Sequence, residues 1–219
     1  MNTQVVLTAD GSHSVYSPEV GHHYHSVYGA VQESQRVYME LGLRHAFDTV
    51  DGPIRVFEMG FGTGLNALMT LREAIRHNRP VDYVAIEPYP IPTDDARQLN
   101  YDDVLNTFWL ADMHATPWGV PTPVTPYMTL TKYQTPLEYV PPIGLFDVVY
   151  YDAFPPEGQP ELWTQEIFEK VASLMRPGGF LTTYCSKTVV QNNIRAAGFT
   201  VEKHSGPARK REVIRAVLA

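Results

Sequence analysis

Apolar residues fall along this chain in short runs that switch between two spacings. From Ile54 to Glu58 a run rich in β-branched and aromatic residues stops at Gly60-Phe61-Gly62-Thr63-Gly64, after which Leu65, Leu68, Met69 and Leu71 recur at helical spacing. The pattern predicts strand, glycine turn, helix. Tyr83 to Glu87 is apolar until an acid and a proline close it, and Phe146 to Tyr151 behaves alike before Asp152. Both read as buried parallel strands. A further strand ends near Lys132-Tyr133. The helical pattern of Leu162 to Met175 is terminated by Pro177-Gly178-Gly179, and Phe180 to Cys185 reads as another central strand. Lys187 to Ala197 fits a helix closed by Gly198, and Thr200 to Ser205 and Glu212 to Leu218 fit two strands joined around Gly206-Pro207.

Alternating strand and helix over 51–219 predicts a doubly wound, mostly parallel, seven-stranded α/β sheet of the Rossmann type with an antiparallel C-terminal edge. Residues 1–50 differ in texture. Asp10 to Tyr28 is rich in Gly, Ser, His and Tyr, and Val31 to Phe47 is helical in pattern, which predicts an N-terminal cap over the sheet. The prolines crowding Pro117 to Pro126 read as loop.

The 219 residues, 44% of them hydrophobic, suffice for one well-filled core. A net charge of −7 excludes coating of nucleic acid by a global positive field, so any such contact needs a local basic patch. The single cysteine, Cys185, leaves no internal disulfide and no Cys-x-x-Cys pair. No apolar run approaches the roughly 20 residues of a bilayer helix and no signal segment opens the chain, so a cytoplasmic protein is expected, without membrane contact.

Chemistry concentrates at strand ends. Alternating glycines at Gly60, Gly62 and Gly64 let the backbone turn tightly and let a ligand approach, while the helix starting near Thr63 offers free amide hydrogens. A dinucleotide fingerprint needs glycine at position 65 or 67, where this chain has Leu65 and Ala67, and no phosphate-gripping Gly-Lys-Ser/Thr follows. Nicotinamide-dependent oxidoreduction stays as an alternative, because alanine is sometimes allowed there. An acid before the glycines, Glu58, and one ending the next strand, Glu87, form the arrangement expected of a class I methyltransferase using S-adenosylmethionine. Glu58 is placed near the cationic methionine end, and Glu87 is placed to accept both ribose hydroxyls. Asp152, in Asp152-Ala153-Phe154-Pro155-Pro156, lies on the same rim and is the candidate to orient an amine nucleophile and stabilise the ammonium that forms.

These residues resemble a known family, the methyltransferase domain of the bifunctional tRNA-modifying protein MnmC and its stand-alone relatives. The resemblance rests on Tyr24-His25-Ser26, Gly29 and Glu33-Ser34, on Phe61-Gly62-Thr63-Gly64-Leu65-Asn66, and on Glu87-Pro88-Tyr89-Pro90. It continues through Asp152-Ala153-Phe154, Pro160-Glu161-Leu162-Trp163-Thr164, Arg176-Pro177-Gly178-Gly179 and Arg209-Lys210-Arg211-Glu212. It implies methyl transfer from S-adenosylmethionine to the exocyclic amine of 5-aminomethyl-2-thiouridine at the tRNA wobble position, with Asp152 as the catalytic carboxylate. The partner would be the anticodon region of tRNA. The family's flavin-using domain has no room here, so a separate enzyme would supply the aminomethyl intermediate. A methyltransferase-like tRNA-binding module without catalysis is the second alternative, suggested by one departure. Where the family often shows Gly-Asp near the adenine, this chain has Lys132-Tyr133-Gln134, so Gln134 is the candidate for the adenine amine and Tyr133 for stacking.

The cofactor set expected is therefore Glu58, Gly60, Gly62, Thr63, Gly64, Asn66, Glu87 and Gln134. For the substrate, Tyr24, His25 and Phe154 are candidates to cover the target base, and Arg209, Lys210 and Arg211 to meet phosphates. Between Phe199 and Arg215 five cations stand against Glu202 and Glu212, a local surplus in an acidic chain. His22-His23-Tyr24-His25 invites a zinc site, but no cysteine or acid at ligand spacing joins it, and no metal is expected.

Overall fold

The computed structural model describes residues 3–207 and 210–219. Three strands lead the chain, β1 (Gln4–Leu7), β2 (His13–Ser17) and β3 (His22–His23), paired antiparallel in that order as a sheet of their own. A helix follows that begins as α1 (Ala30–Ser34), widens into π-wound turns over Gln35–Arg44 and ends as α2 (His45–Thr49). Such wide turns recur near functional sites. Here they bury Val37, Tyr38, Met39, Leu41 and Leu43 against the large sheet and α3.

That sheet is built from β4 (Ile54–Met59), α3 (Leu65–His77), β5 (Val81–Ile86), and the short helices α4 (Thr93–Ala96), α5 (Tyr101–Leu105) and α6 (Leu110–Ala115). It continues with β6 (Thr122–Thr125), β7 (Met128–Tyr133), β8 (Phe146–Tyr151), α7 (Gln165–Ala172), β9 (Met175–Thr183), α8 (Thr188–Ala196), β10 (Phe199–Ser205) and β11 (Glu212–Leu218). The strand order is β10-β11-β9-β8-β4-β5-β7-β6. β4, β5, β7, β8 and β9 are parallel, and β11 and β10 form the antiparallel edge.

Eight strands form this sheet rather than seven. The addition is β6, a proline-bearing edge strand on β7 whose register slips between Pro123 and Thr125. An edge position tolerates a proline because no further strand needs its missing N–H. A second difference concerns Pro177-Gly178-Gly179. It does not stand outside the sheet but lies within β9, where the pairing with β8 is irregular between Phe146 and Val148.

Strand alternation sorts the core into two layers. Val56, Tyr83, Val148 and Tyr150 pack toward α3 and the cap helix, while Phe57, Met59, Val84, Val149 and Tyr151 pack toward α7 and α8. All six residues of β8 are buried, which is why its sequence shows no polar alternation. The chain winds from β4 through β5 to β7, then returns to lay β8 and β9 on the opposite side of β4. The order therefore reverses between β4 and β8, and ligands of open parallel sheets bind beyond the strand ends at such a reversal. No helix among the described residues is long and apolar enough to cross a membrane.

Candidate active site

Beyond the carboxyl ends of β4, β5 and β8 lies a cavity of about 230 Å³. Its floor is the turn from Gly60 to Thr63, with Leu65 and Asn66 at the start of α3, whereas Gly64 does not line it and packs toward His114, Phe61 and Leu110. Glycine is required there for two separate reasons. Gly60 has φ +95°, and a Cβ on it would come within 3.0 Å of the Asp152 carbonyl oxygen. Gly62 has φ +49°, and a Cβ on it would sit 2.9 Å from the Tyr24 ring. The turn is thus pressed between the β8 exit and the cap.

Glu87 follows β5 and lines the cavity. Its two oxygens accept hydrogen bonds from the backbone N–H of Gly62 at 2.9 Å and of Tyr89 at 3.0 Å. Burial pushes its pKa up, and these two amides pull against that. Each oxygen keeps a lone pair for a ligand, and the group is fixed before any ligand arrives. Asp152, just past β8, is half-buried and opens on the same cavity. Tyr38 Oη donates to its Oδ1 at 2.6 Å and Asn66 Nδ2 to its Oδ2 at 2.8 Å. Burial raises its pKa to about 6, with Tyr38, Asn66 and Lys210 holding it from rising further.

Glu58 is placed differently from expectation. It is 1% exposed and does not reach the cavity wall. Residues 54, 56 and 58 share the face of β4 that α3 covers, so the carboxylate runs under the helix and meets Asn66, whose Nδ2 donates to Glu58 Oε1 at 3.0 Å. One amide thus bridges two acids. Burial, with the Asp152 charge second, pushes the Glu58 pKa well above its ordinary value, and the hydrogen bond from Asn66 opposes that. Tyr83 lies beside it without a formed hydrogen bond. Gln134 is likewise absent from the cavity wall, and Leu137 and Glu138, from the turn after β7, stand at that end instead.

The cap contributes Tyr24 and His25. The Tyr24 ring packs edge-on to Phe154 with centroids 4.8 Å apart, and both line the cavity. His25 Nε2 shares a 2.7 Å hydrogen bond with Thr63 Oγ1, which also accepts from Tyr101 Oη at 3.3 Å. His23 instead faces Tyr16, centroids 4.9 Å apart, so the histidines of this segment diverge. Among the described residues no three metal-binding side chains gather.

The His25 pKa is pushed down to about 4, chiefly by burial, with Lys210 adding to that and Glu33 and Asp10 opposing it. Unfolded histidine titrates near 6.5. Between those values the unfolded chain binds the additional proton, so stability falls as pH is lowered from about 6.5 toward 4. Urea unfolding at stepped pH is expected to show the protein losing up to ~3 kcal/mol more than a His25→Gln variant over that range. Parallel curves would mean that the imidazole is already charged in the folded state.

The basic tail is mostly paired. Lys203 meets Glu212 at 3.1 Å, Arg215 meets Glu202 at 2.8 Å, and Lys210 meets Glu33 of the cap helix. Lys210 therefore points inward, to a contact 177 positions away in sequence, and does not stand free for phosphate. Arg211 is exposed, and Arg209 lies outside the described residues. Tyr38, which holds Asp152, and Glu33, which holds Lys210, are partners that sequence reasoning misses. The signal was a tyrosine inside an apolar helical stripe, since a buried phenol needs a partner for its hydroxyl.

The geometry fits S-adenosylmethionine on three counts: a floor that a Cβ would close, a carboxylate fixed by two amides as a diol acceptor, and a second acid at the wall, Asp152, to face a cation. Residues 130–219 match the family model described as S-adenosyl-L-methionine-dependent methyltransferase. An Aeromonas hydrophila protein named tRNA 5-methylaminomethyl-2-thiouridine biosynthesis bifunctional protein MnmC is 29% identical over 90% of this chain and 33% of its own length. The protein of that name from Nitrosospira multiformis is 29% identical over 93% of this chain and 35% of its own. The chain thus spans about a third of the length of these curated relatives. In fold it is similar to MnmC2 from Aquifex aeolicus, with a TM-score of 0.77 and 22% identity, covering 100% of this chain and 70% of that one. The chain has a Rossmann-like fold, matches the S-adenosyl-L-methionine-dependent methyltransferase family model over residues 130–219, and is similar over most of its length to the MnmC proteins.

Proposed function

We propose that this chain methylates the exocyclic amine of 5-aminomethyl-2-thiouridine at the wobble position of tRNA, giving the methylaminomethyl form. The observation that carries the proposal is Asp152, an acid with a pKa near 6 that two hydrogen bonds hold at the wall of the glycine-turn cavity. The names of the relatives supply the acceptor, and the amine chemistry agrees with the acid.

Bound S-adenosylmethionine supplies a methyl group carried on positively charged sulfur. In this proposal Gly60, Gly62 and Thr63 provide the floor, Glu87 accepts the ribose hydroxyls and Asn66 faces the methionine end. Glu58 acts through Asn66, as a positioning residue. An alkylamine in water at neutral pH is protonated and has no lone pair to offer. Burial beneath Tyr24, His25 and Phe154 disfavours that charged form. As nitrogen gains the methyl group it becomes cationic, and ionised Asp152 balances that charge and accepts a hydrogen bond from it. The base must leave its stack to enter, and the aromatic residues of the cap offer it a surface in exchange.

The test is nucleoside mass spectrometry of tRNA from cells lacking the protein, joined to methyl transfer by the purified chain. Accumulation of 5-aminomethyl-2-thiouridine in the cells and its conversion in vitro are expected. Normal tRNA in those cells would discard this acceptor while leaving the methyltransferase fold intact.

A further inference from the structure

A second cavity, of about 340 Å³, adjoins the first, and Tyr24, His25 and Phe154 line both. Its far wall carries a charged pair that the chemistry above does not use. Glu33, on α1 and 5% exposed, accepts a hydrogen bond from Lys210 Nζ, which comes from the turn between β10 and β11. The ammonium lies 4.2 Å from the centroid of the Tyr184 ring, and Tyr184 is itself anchored by donating its hydroxyl to Ala153 O at 2.8 Å. A hydrogen-bond acceptor and a donor are thus held side by side next to a flat ring, in a cavity that meets the cofactor cavity.

Resting on the wobble-uridine reading, we propose that Glu33 and Lys210 read the edge of the target base. An N–H beside a carbonyl oxygen is what uracil presents at N3 and O4. The carboxylate accepts from the first, and the ammonium, seated over the Tyr184 ring, donates to the second. Cytosine presents the reverse, a bare N3 beside an amine, and would leave both side chains facing groups of their own kind. Sites built to hydrogen-bond one pattern reject the other because a buried polar group is left unpaired. The pair also ties the β10–β11 turn to the cap, so loss of stability alone does not identify a reading role. Selectivity does.

The experiment uses two synthetic anticodon stem-loops identical except that the aminomethyl group sits on 2-thiouracil in one and on cytosine in the other. The unaltered protein is expected to favour the uracil stem-loop in kcat/KM by roughly tenfold to a hundredfold. Lys210→Met removes the donor, and Glu33→Gln places an amide that can turn its N–H toward cytosine N3. Each is expected to bring the preference to within about threefold, with S-adenosylmethionine binding by calorimetry reporting intact folding. Should Lys210→Met fail to fold, Glu33→Gln carries the comparison. Folded variants that keep the original preference, or an unaltered protein that methylates both stem-loops equally, would overturn the base-reading role and leave the wobble-uridine reading standing. An unaltered protein that binds the cofactor and methylates neither would overturn both.

Discussion

Asp152→Ala is expected to lower methyl transfer to tRNA by roughly 10²–10⁴-fold while calorimetry still detects S-adenosylmethionine binding. The cavity floor and Glu87 do not depend on this side chain: the amides of Gly62 and Tyr89 hold Glu87, and the glycine turn keeps its backbone contacts. What disappears is the carboxylate that Tyr38 and Asn66 together hold at the cavity wall. The pH profile separates this from simple loss of shape. Asp152 acts ionised, so kcat/KM under limiting cofactor is expected to fall away below about pH 6. Tyr38→Phe removes a hydrogen bond that favours the ionised form, and so moves that limb to higher pH. Turnover unchanged in Asp152→Ala would take the carboxylate out of the chemistry, and a limb that stays in place in Tyr38→Phe would mean that another group titrates.

Gly60→Ala is expected to cost both stability and cofactor affinity, because the penalty cannot be relieved by moving a side chain. At φ +95° a residue with a Cβ is strained by about 1–3 kcal/mol, and the atom met at 3.0 Å is the backbone oxygen of Asp152. Relief requires the exits of β4 and β8 to part, which shifts Asp152 along with the floor. A lowered melting temperature and at least ~tenfold weaker S-adenosylmethionine binding follow, both measurable on one preparation. Wild-type affinity in a folded Gly60→Ala protein would mean that the ligand does not lie on this turn.

Sequence pattern foretells some parts of the fold well, and the reasons are local. β4 and β8 are buried on both faces, so their apolar runs are continuous and end abruptly at chemistry. β11 coincides with the stretch expected from Glu212 to Leu218, since a turn sets where it begins and its pairing with β9 and β10 holds its length. The β1–β3 sheet is illegible for the opposite reason: its strands are short and unevenly buried, so no period of two emerges. β6 hides among prolines that ordinarily signal loop.

Within the site, glycines, Glu87 and Asp152 are legible because their strand-end positions carry the message. Glu58 shows what strand ends leave out. Its alternation with Ile54 and Val56 places it on the α3 face, but only the packing of that helix decides that the face is closed. Lys210 reads as part of a basic run, and nothing nearby in sequence signals that its partner lies in the cap.

The cavity walls come from stretches near residues 17–25, 59–66, 86–89, 136–138 and 152–162, which become neighbours only when β4, β5 and β8 lie side by side beneath the cap. Occupancy of the pocket and assembly of the sheet are therefore thermodynamically linked. A small molecule lodged there is coupled to the entire assembly of the sheet and reinforces regions it never touches.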